Sequence, residues 1–511
     1  MSDVSDVPIP STARRALGGM VWSGAGLGAQ GFGQFLVVIV LARELTRAEN
    51  GVVAAALVVV ALGQLFTEAG VGPAVVQREH LTDEHVRSAF ALSVIAGVFM
   101  TAVVWFAAPW AADFFDQPRL QGVMRGLAFV FTIQGPGVIA MAMLQRDLDF
   151  KSIALAETVS YCAGFAGVGV VLAISGAGLA SIVIAQLVQA AMLTGMLMYR
   201  RSHPRSLRPR ATESKDLLVY AGGMAAARSF NFAALYGDYA IVGNRMTAGA
   251  LGAYKNAYQL AAVPAQLLGQ LVDRVIFPVI ARFQTDLARV GTAYLRGVSL
   301  VAMMTIPASV LAVLLGPELI HLLLGGDGKW DDAIVPFQIF SAGLVFRTSY
   351  KISDSLARAM GTVYQRAWRQ AVYALAVVVG ALVGSAYGLA WVAVCVTAAI
   401  VLNYLLMAQL SLRTAELTWW RFMVRQGRGL VFAALVAAAS IPTVLGLRAA
   451  YAGTVVTIIG GVVSAVVVMG LAWRVFPGAT MGEDGRWLLH IVRSGGSSAP
   501  VEPESARRRT A

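Results

Sequence analysis

An all-α integral membrane protein is the fold class this sequence predicts, with about fourteen transmembrane helices. They divide into two pseudo-symmetric six-helix lobes plus two additional C-terminal helices. Three observations carry that expectation. Of the 511 residues, 58% are hydrophobic and only 13% charged, whereas soluble domains carry roughly a quarter charged residues. The apolar stretches between Ala16 and Ala472 approach the ~20 residues that a span requires. Positive charge, finally, falls almost wholly in alternate connections.

That alternation orients the chain. With the N-terminus in the cytoplasm, 28 of the 40 Lys/Arg residues fall in cytoplasmic segments, among them Arg14, Arg15, Arg78, Arg87, Arg146, Lys151, Arg205, Arg210, Arg282, Arg296, Arg366, Arg413, Arg428 and Arg507. The opposite connections hold six: Arg43, Arg47, Arg119, Arg245, Lys329 and Arg448. This is the positive-inside pattern of a multi-pass protein with both termini cytoplasmic. The other six, Arg125, Arg228, Lys255, Arg274, Arg347 and Lys351, lie in or near spans.

The elements follow in order. Residues 1–16 form a cytoplasmic N-terminal segment. No cleavable signal peptide is evident, because the hydrophilic start leads into an apolar stretch longer than a signal h-region; the first span reads as a retained signal anchor. The N-lobe, 17–199, holds spans 17–42, 51–73, 87–108, 121–143, 152–174 and 178–199. Residues 200–215, with Arg200-Arg201-Ser202-His203-Pro204-Arg205, make a basic cytoplasmic inter-lobe linker. The C-lobe, 216–411, holds spans 216–243, 249–276, 293–315, 332–357, 366–384 and 388–411. An interfacial connection at 412–427 carries Trp419-Trp420-Arg421-Phe422, an aromatic-belt composition. Two additional spans, 428–447 and 453–473, complete the region 428–473. Residues 474–511 read as a disordered cytoplasmic tail.

An internal repeat supports the division into lobes. At an offset of 201, Thr46 meets Thr247, Gly51 meets Gly252, Ala56 meets Ala257 and Ala61 meets Ala262. Six spans separate the copies, an even number, so both insert in the same direction. A parallel repeat follows, with its pseudo-twofold along the membrane normal and a substrate site between lobes. Gly135-Pro136-Gly137, Pro264, Pro307, Pro336 and Pro442 mark where spans are expected to bend.

Catalytic and cofactor motifs are not visible. Gly325-Gly326-Asp327-Gly328-Lys329-Trp330 lacks the first glycine and the Ser/Thr after lysine of a phosphate-cradling loop. Gly26, Gly28 and Gly31 match a dinucleotide fingerprint inside a span, where close helix packing is the better account. The five histidines show no zinc-ligand pattern, and Cys162 and Cys395 lie far apart in predicted spans. No cofactor and no metal site is expected. The net charge of +12 is topogenic, drawn to anionic membrane lipids rather than to nucleic acid.

Chemistry concentrates in ionisable residues at membrane depth, each of which costs about 2.5–3.5 kcal/mol at a helix centre. Arg228 and Asp238 share the seventh span, and Lys255 lies in the outer part of the eighth. Arg347, Lys351, Asp354 and Arg358 occupy one face of the tenth, at spacings of 4, 3 and 4. Two readings of that face stand: an inner-leaflet snorkelling stripe, or the cationic wall of a cavity for a phosphorylated or acidic substrate. The candidate substrate-binding residues are therefore Arg228, Lys255, Arg347 and Lys351. Asp238, Asp354 and Glu68 are candidates for coupling or charge balance.

Gly249-Ala250-Leu251-Gly252-Ala253-Tyr254, Ala257-Tyr258-Gln259-Leu260 and Val275-Ile276-Phe277-Pro278 resemble the polysaccharide exporters of the O-antigen, colanic and teichuronic acid type. These are oligosaccharide flippases of the multidrug/oligosaccharidyl-lipid/polysaccharide (MOP) superfamily. Glu68-Ala69-Gly70-Val71-Gly72 and Leu315-Gly316-Pro317-Glu318 are similar too, and the likeness covers roughly residues 15–475. The resemblance implies a MATE-like fold and alternating access in a bacterial cytoplasmic (inner) membrane. It implies transfer of an undecaprenyl-diphosphate-linked glycan, on which the polymerase and glycosyltransferases of the same pathway also act. Gly361-Thr362-Val363 departs from the family's glycine-basic-proline turn. An ion-coupled drug antiporter would favour acidic cavity residues, and a membrane glycosyltransferase or polymerase would favour a large outer loop. Neither feature is prominent here.

The charge split predicts topology. Reporter fusions after Arg210 should read as cytoplasmic and fusions after Gly326 as external; both on one side would overturn the span assignment.

Overall fold

The computed structural model describes residues 35–68, 71–77, 81–202, 231–282 and 285–475, with single residues 31, 33, 204, 207 and 229. Every regular element among the described residues is a helix. In the first half these are α1 (35–44), α2 (Arg47–Glu68), α3 (Val71–Gln77), α4 (Asp83–Phe114), α5 (Pro118–Gln134), α6 (Gly137–Arg146), α7 (150–174) and α8 (Leu179–Arg200). In the second half they are α9 (231–245), α10 (Ala248–Arg282), α11 (Leu287–Leu314), α12 (Gly316–Leu324), α13 (Ile334–Ala342), α14 (Leu344–Ala359), α15 (Val363–Ser385) and α16 (Leu389–Thr414). Helices α17 (Trp419–Ala449) and α18 (Thr454–Val475) follow.

The chain is a multi-pass membrane protein. Among the described residues, nine helices are long and apolar enough to cross a membrane, and the bent pair α5–α6 makes a tenth. The other expected spans fall on α1, α9, α10 and the α13–α14 pair.

Side chains cap helix starts on both sides. On the expected cytoplasmic side Thr82 accepts from the His85 N–H, Asp149 from Ser152, Asp286 from Arg289 and Thr418 from Arg421; on the opposite side Thr46 accepts from Glu49 and Thr247 from Ala250. Such caps satisfy amide groups that a helix start leaves unpaired. The short opposite turns before α8 and α16 rely on glycine. Gly176, Gly178 and Gly388 take positive φ values of 83°, 55° and 112°, a conformation that glycine adopts without strain.

Proline bends the chain at one of the expected places. The fourth span breaks by 48° at Gly135-Pro136, between α5 and α6. Pro264, Pro307 and Pro442 lie inside the continuous helices α10, α11 and α17, as does Pro109 in α4. One missing ladder bond does not force a break where neighbouring helices hold the backbone. The tenth span breaks at Gly343, not at Pro336, which sits in the first turn of α13. The fifth span contains a π-helical stretch, Cys162–Gly169, for which the sequence carried no signal.

Helices α4, α5, α7 and α8 pack within the first half, and α10, α11, α14, α15 and α16 within the second. Helix α17 packs along α11, and α18 along α17. The halves meet chiefly where α2 crosses α10. A Cβ on Gly51 would lie 1.9 Å from the Ala248 carbonyl oxygen, and one on Gly252 would lie 2.5 Å from that of Arg47. At the 201-residue offset, Arg47 corresponds to Ala248 and Gly51 to Gly252. The contact is thus reciprocal, the relation that a twofold axis between like-directed helices produces. Each glycine removes the side chain that would hold the backbones apart.

Valine at position 51 or at 252 should therefore destabilise the protein by about 1–3 kcal/mol, while Gly122→Ala, with open space beside it, should not. Thermal unfolding in detergent measures both. Because the two glycines share one contact, the double variant should fall short of the sum of the single effects.

Candidate functional site

Below the α2–α10 crossing lies a cavity of about 490 Å³. Its walls come from α1, α2, α5, α7 and α8 in the first half and from α9 and α10 in the second. Apolar side chains such as Val53, Val60, Leu127 and Ile182 make up most of the surface. Polar groups come from Gln64, Gln186, Gln189, Gln259 and Gln266 and from Tyr161, Tyr236, Tyr239 and Tyr258. Lys255 is the one charged residue among the described lining.

Helix α10 places that lysine. Gly252 faces the first half at the crossing, and Lys255 and Gln259 follow at i+3 and i+7 on the same helical face. Lys255 is only 6% exposed and has no hydrogen-bond or ion-pair partner among the described residues. A buried ammonium without a counter-charge is costly unless an anion joins it. Lys255 thus stands as a lone cation in a described lining that is otherwise neutral.

Behind the lining stands a second layer of charge and aromatic rings. Asp238 on α9 is 1% exposed. Its carboxylate accepts from the Tyr254 hydroxyl at 2.7 Å and from the Tyr239 N–H at 2.9 Å. The guanidinium of Arg347, from α14, lies 3.9 Å above the Tyr258 ring centroid, close enough for a cation–π contact. Tyr239 and Tyr258 pack edge to face at 5.7 Å. Both line the cavity, and the Tyr258 ring carries the Arg347 guanidinium over its face. The Nη1 atom of Arg347 is buried and has no hydrogen-bond partner among the described residues.

The remaining sequence candidates lie elsewhere. The Lys351 ammonium donates to the Ala265 carbonyl of α10 at 3.1 Å, and its stem lies against Gly269. Asp354 pairs with Arg358 at 3.1 Å and with Arg366 at 2.5 Å, tying α14 to the start of α15. The expected cationic wall is thus divided. Lys255 faces the cavity, Arg347 stands behind Tyr258, and Lys351 reaches α10 backbone. Arg228 and the side chain of Glu68 lie outside the described residues.

Sequence reasoning missed the glutamines and most of the tyrosine cluster. Tyr254 and Tyr258 at i,i+4, opposite Tyr236 and Tyr239 at i,i+3, were the available signal. It goes unnoticed because aromatic residues at helical spacing are usually core.

Three kinds of comparison bear on this arrangement. Residues 40–335 match the family described as "Polysaccharide biosynthesis protein". The lipopolysaccharide biosynthesis protein WzxC of Escherichia coli K12 is 24% identical over 59% of this chain and 61% of its own length. The chain thus spans about three fifths of that relative. The teichuronic acid biosynthesis protein TuaB of Bacillus subtilis is 23% identical over 75% of this chain and 80% of its own. In structure, the chain resembles the lipid II flippase MurJ in an inward closed conformation, with a TM-score of 0.73 at 12% identity, covering 89% of this chain and 99% of that one. An inward-facing MATE multidrug transporter of the MOP superfamily gives 0.62 at 15% identity, over 76% and 94%. At these identities the likeness establishes the fold: all-helical, of the MurJ and MATE kind.

The geometry around Asp238 makes a stability prediction. Tyr254→Phe should destabilise the protein by ~1–3 kcal/mol, since a buried carboxylate loses its hydroxyl donor. Tyr387→Phe, at a residue 71% exposed, should leave the thermal midpoint in place.

Proposed function

We propose that this chain, which belongs to the polysaccharide biosynthesis protein family, moves an undecaprenyl-diphosphate-linked oligosaccharide across the bacterial cytoplasmic membrane by alternating access. The unpartnered Lys255, set among glutamines and tyrosines in a cavity between the halves, carries the reading. Carboxamides hydrogen-bond sugar hydroxyls, aromatic faces stack on pyranose rings, and the ammonium holds a phosphate or carboxylate. The names of WzxC and TuaB, each a biosynthesis protein for a surface polysaccharide, support this substrate class. So does the name of MurJ, a flippase for a lipid-linked precursor.

In this reading the protein is a carrier rather than an enzyme, and both termini are cytoplasmic. Lys255 meets the acidic group of the substrate. Arg228 and Arg347 supply further positive charge, Arg347 through Tyr258, and Lys351 holds α14 against α10. Asp238 is the carboxylate best placed to respond to a coupling cation or proton, with Asp354 and Glu68 balancing charge nearer the cytoplasm. A drug antiporter of the same superfamily would call for an acidic lining, and the described lining carries no acid.

Lys255→Met should keep membrane abundance near normal and lower glycan export about tenfold or more, the loss of one charge-assisted contact. Arg228→Ala and Arg347→Ala should also reduce export, and lysine at 347 should restore it in part, because it keeps charge without the planar stacking face. Export by flipped-glycan labelling in spheroplasts measures this. Wild-type rates in all three variants would overturn the reading. So would stoichiometric ATP hydrolysis by the purified protein.

A further inference from the structure

The loop that imitates a phosphate-binding motif has another use. It follows α12 on the side where the α2–α10 crossing lies. The Lys329 ammonium donates to the carbonyls of Ala42, Arg43 and Leu45 at 3.0, 3.1 and 2.6 Å. These are acceptors at the end of α1. The Trp330 indole N–H donates to Ala42 as well, at 3.2 Å, and its ring is wholly buried.

The first half answers in kind. The Arg43 guanidinium donates to the carbonyls of Leu322 and Leu323 in the last turn of α12, the latter at 3.1 Å. Arg47 pairs with Asp332 near the end of the loop. Each helix C-terminus is thereby capped by a cation from the opposite half. Unpaired carbonyls and the helix dipole both favour positive charge there. The loop is held in shape for this: Gly325 and Gly328 take φ values of 122° and 76°, Asp327 accepts from the Lys329 N–H at 3.2 Å, and Asp331 meets His321 at 2.8 Å.

We propose that the 325–333 loop is a latch on the outer end of the cavity, with Lys329 as its bolt. The latch joins α1 to the α12–α13 corner chiefly through hydrogen bonds to backbone, and of its side chains Trp330 and Ala333 are packed into the core. Any conformation that parts the halves above the cavity must withdraw Lys329 and Trp330 from α1 and release Arg43 from α12. The loop then sets how often the outer end opens. This rests on the alternating-access reading of the cavity but not on the identity of the glycan.

The test is accessibility. A cysteine replaces the cavity-lining Val53 in a Cys162→Ser/Cys395→Ser background, and a membrane-impermeant maleimide is applied to spheroplasts. With the native latch, labelling should be slow. Lys329→Met should raise the rate about tenfold, consistent with a partly buried helix-terminus cation, and Lys329→Arg should stay near the parent. A separate reporter, Ala128→Cys at a wholly buried position, detects loss of structure and should stay silent. If Lys329→Met labels it, Arg43→Gln, which leaves the loop's own bonds intact, decides the matter: faster labelling at 53 alone supports the latch. Native labelling rates in a folded Lys329→Met protein, or in Arg43→Gln when it is the deciding variant, overturn the proposal. Loss of export in Lys255→Met leaves this readout unaffected, so the two readings fail separately.

Discussion

The contact on which the rest depends is the backbone crossing of α2 and α10 at Gly51 and Gly252. Close approach of two membrane helices rests on van der Waals packing and on small residues at the contact, and this crossing has both. Its position at one end of both helices sets the two halves together there and leaves the cavity below. It also fixes the rotation of α10. With Gly252 turned to the partner half, Lys255 and Gln259 face the lumen, and the lysine's burial is a consequence of the crossing.

The repeat is kept where it packs and lost where it carries chemistry. At the 201-residue offset, Phe35, Val37 and Val38 of α1 correspond to Tyr236, Asp238 and Tyr239 of α9. Val53, Ala54 and Leu57 of α2 correspond to Tyr254, Lys255 and Tyr258 of α10. At these positions the first copy is apolar, and the second carries tyrosines, a buried carboxylate and the cavity's lysine. The first half's polar lining, Gln64, Tyr161, Gln186 and Gln189, comes from other positions.

Much of this architecture was legible in the sequence, for a physical reason. Topogenic charge and apolar run length are properties of the chain itself, so the helical class and the ten spans that the described helices match could be read directly. Thr46 with Thr247 and Gly51 with Gly252 announced the repeat, but not that the copies touch each other at those same residues. Helical spacing placed Arg347, Lys351 and Asp354 on one face, as found. It did not foresee that these long side chains diverge, one onto Tyr258, one onto the Ala265 carbonyl and one onto Arg366. Side-chain reach depends on what neighbouring helices offer, and a single sequence does not contain that. Likewise Lys329 announced itself only as a failed motif, since its partners are backbone carbonyls nearly 290 positions away.

The described polar contacts are also distributed unevenly. Within the second half they are dense and span helix to helix. Arg448 of α17 grips Glu318 of α12 with two hydrogen bonds, at 2.7 and 2.8 Å, a geometry stronger than an ordinary surface pair. Arg366 ties α15 to Asp354, Arg369 donates to the Leu406 carbonyl of α16, and the Tyr404 hydroxyl donates to Gln426 of α17. Bonds of this kind resist sliding of the helices past one another. Between halves, the described contacts at the crossing end are mostly glycine packing and hydrogen bonds to backbone carbonyls, with one side-chain ion pair, Arg47–Asp332. Contacts made to backbone carbonyls release readily, because water replaces the partner on both sides once they part. A second half braced from helix to helix, joined to the first by exchangeable contacts, suits the rocking motion proposed about the cavity; the arginines supply the bracing, and Gly51, Gly252 and Lys329 the exchangeable contacts.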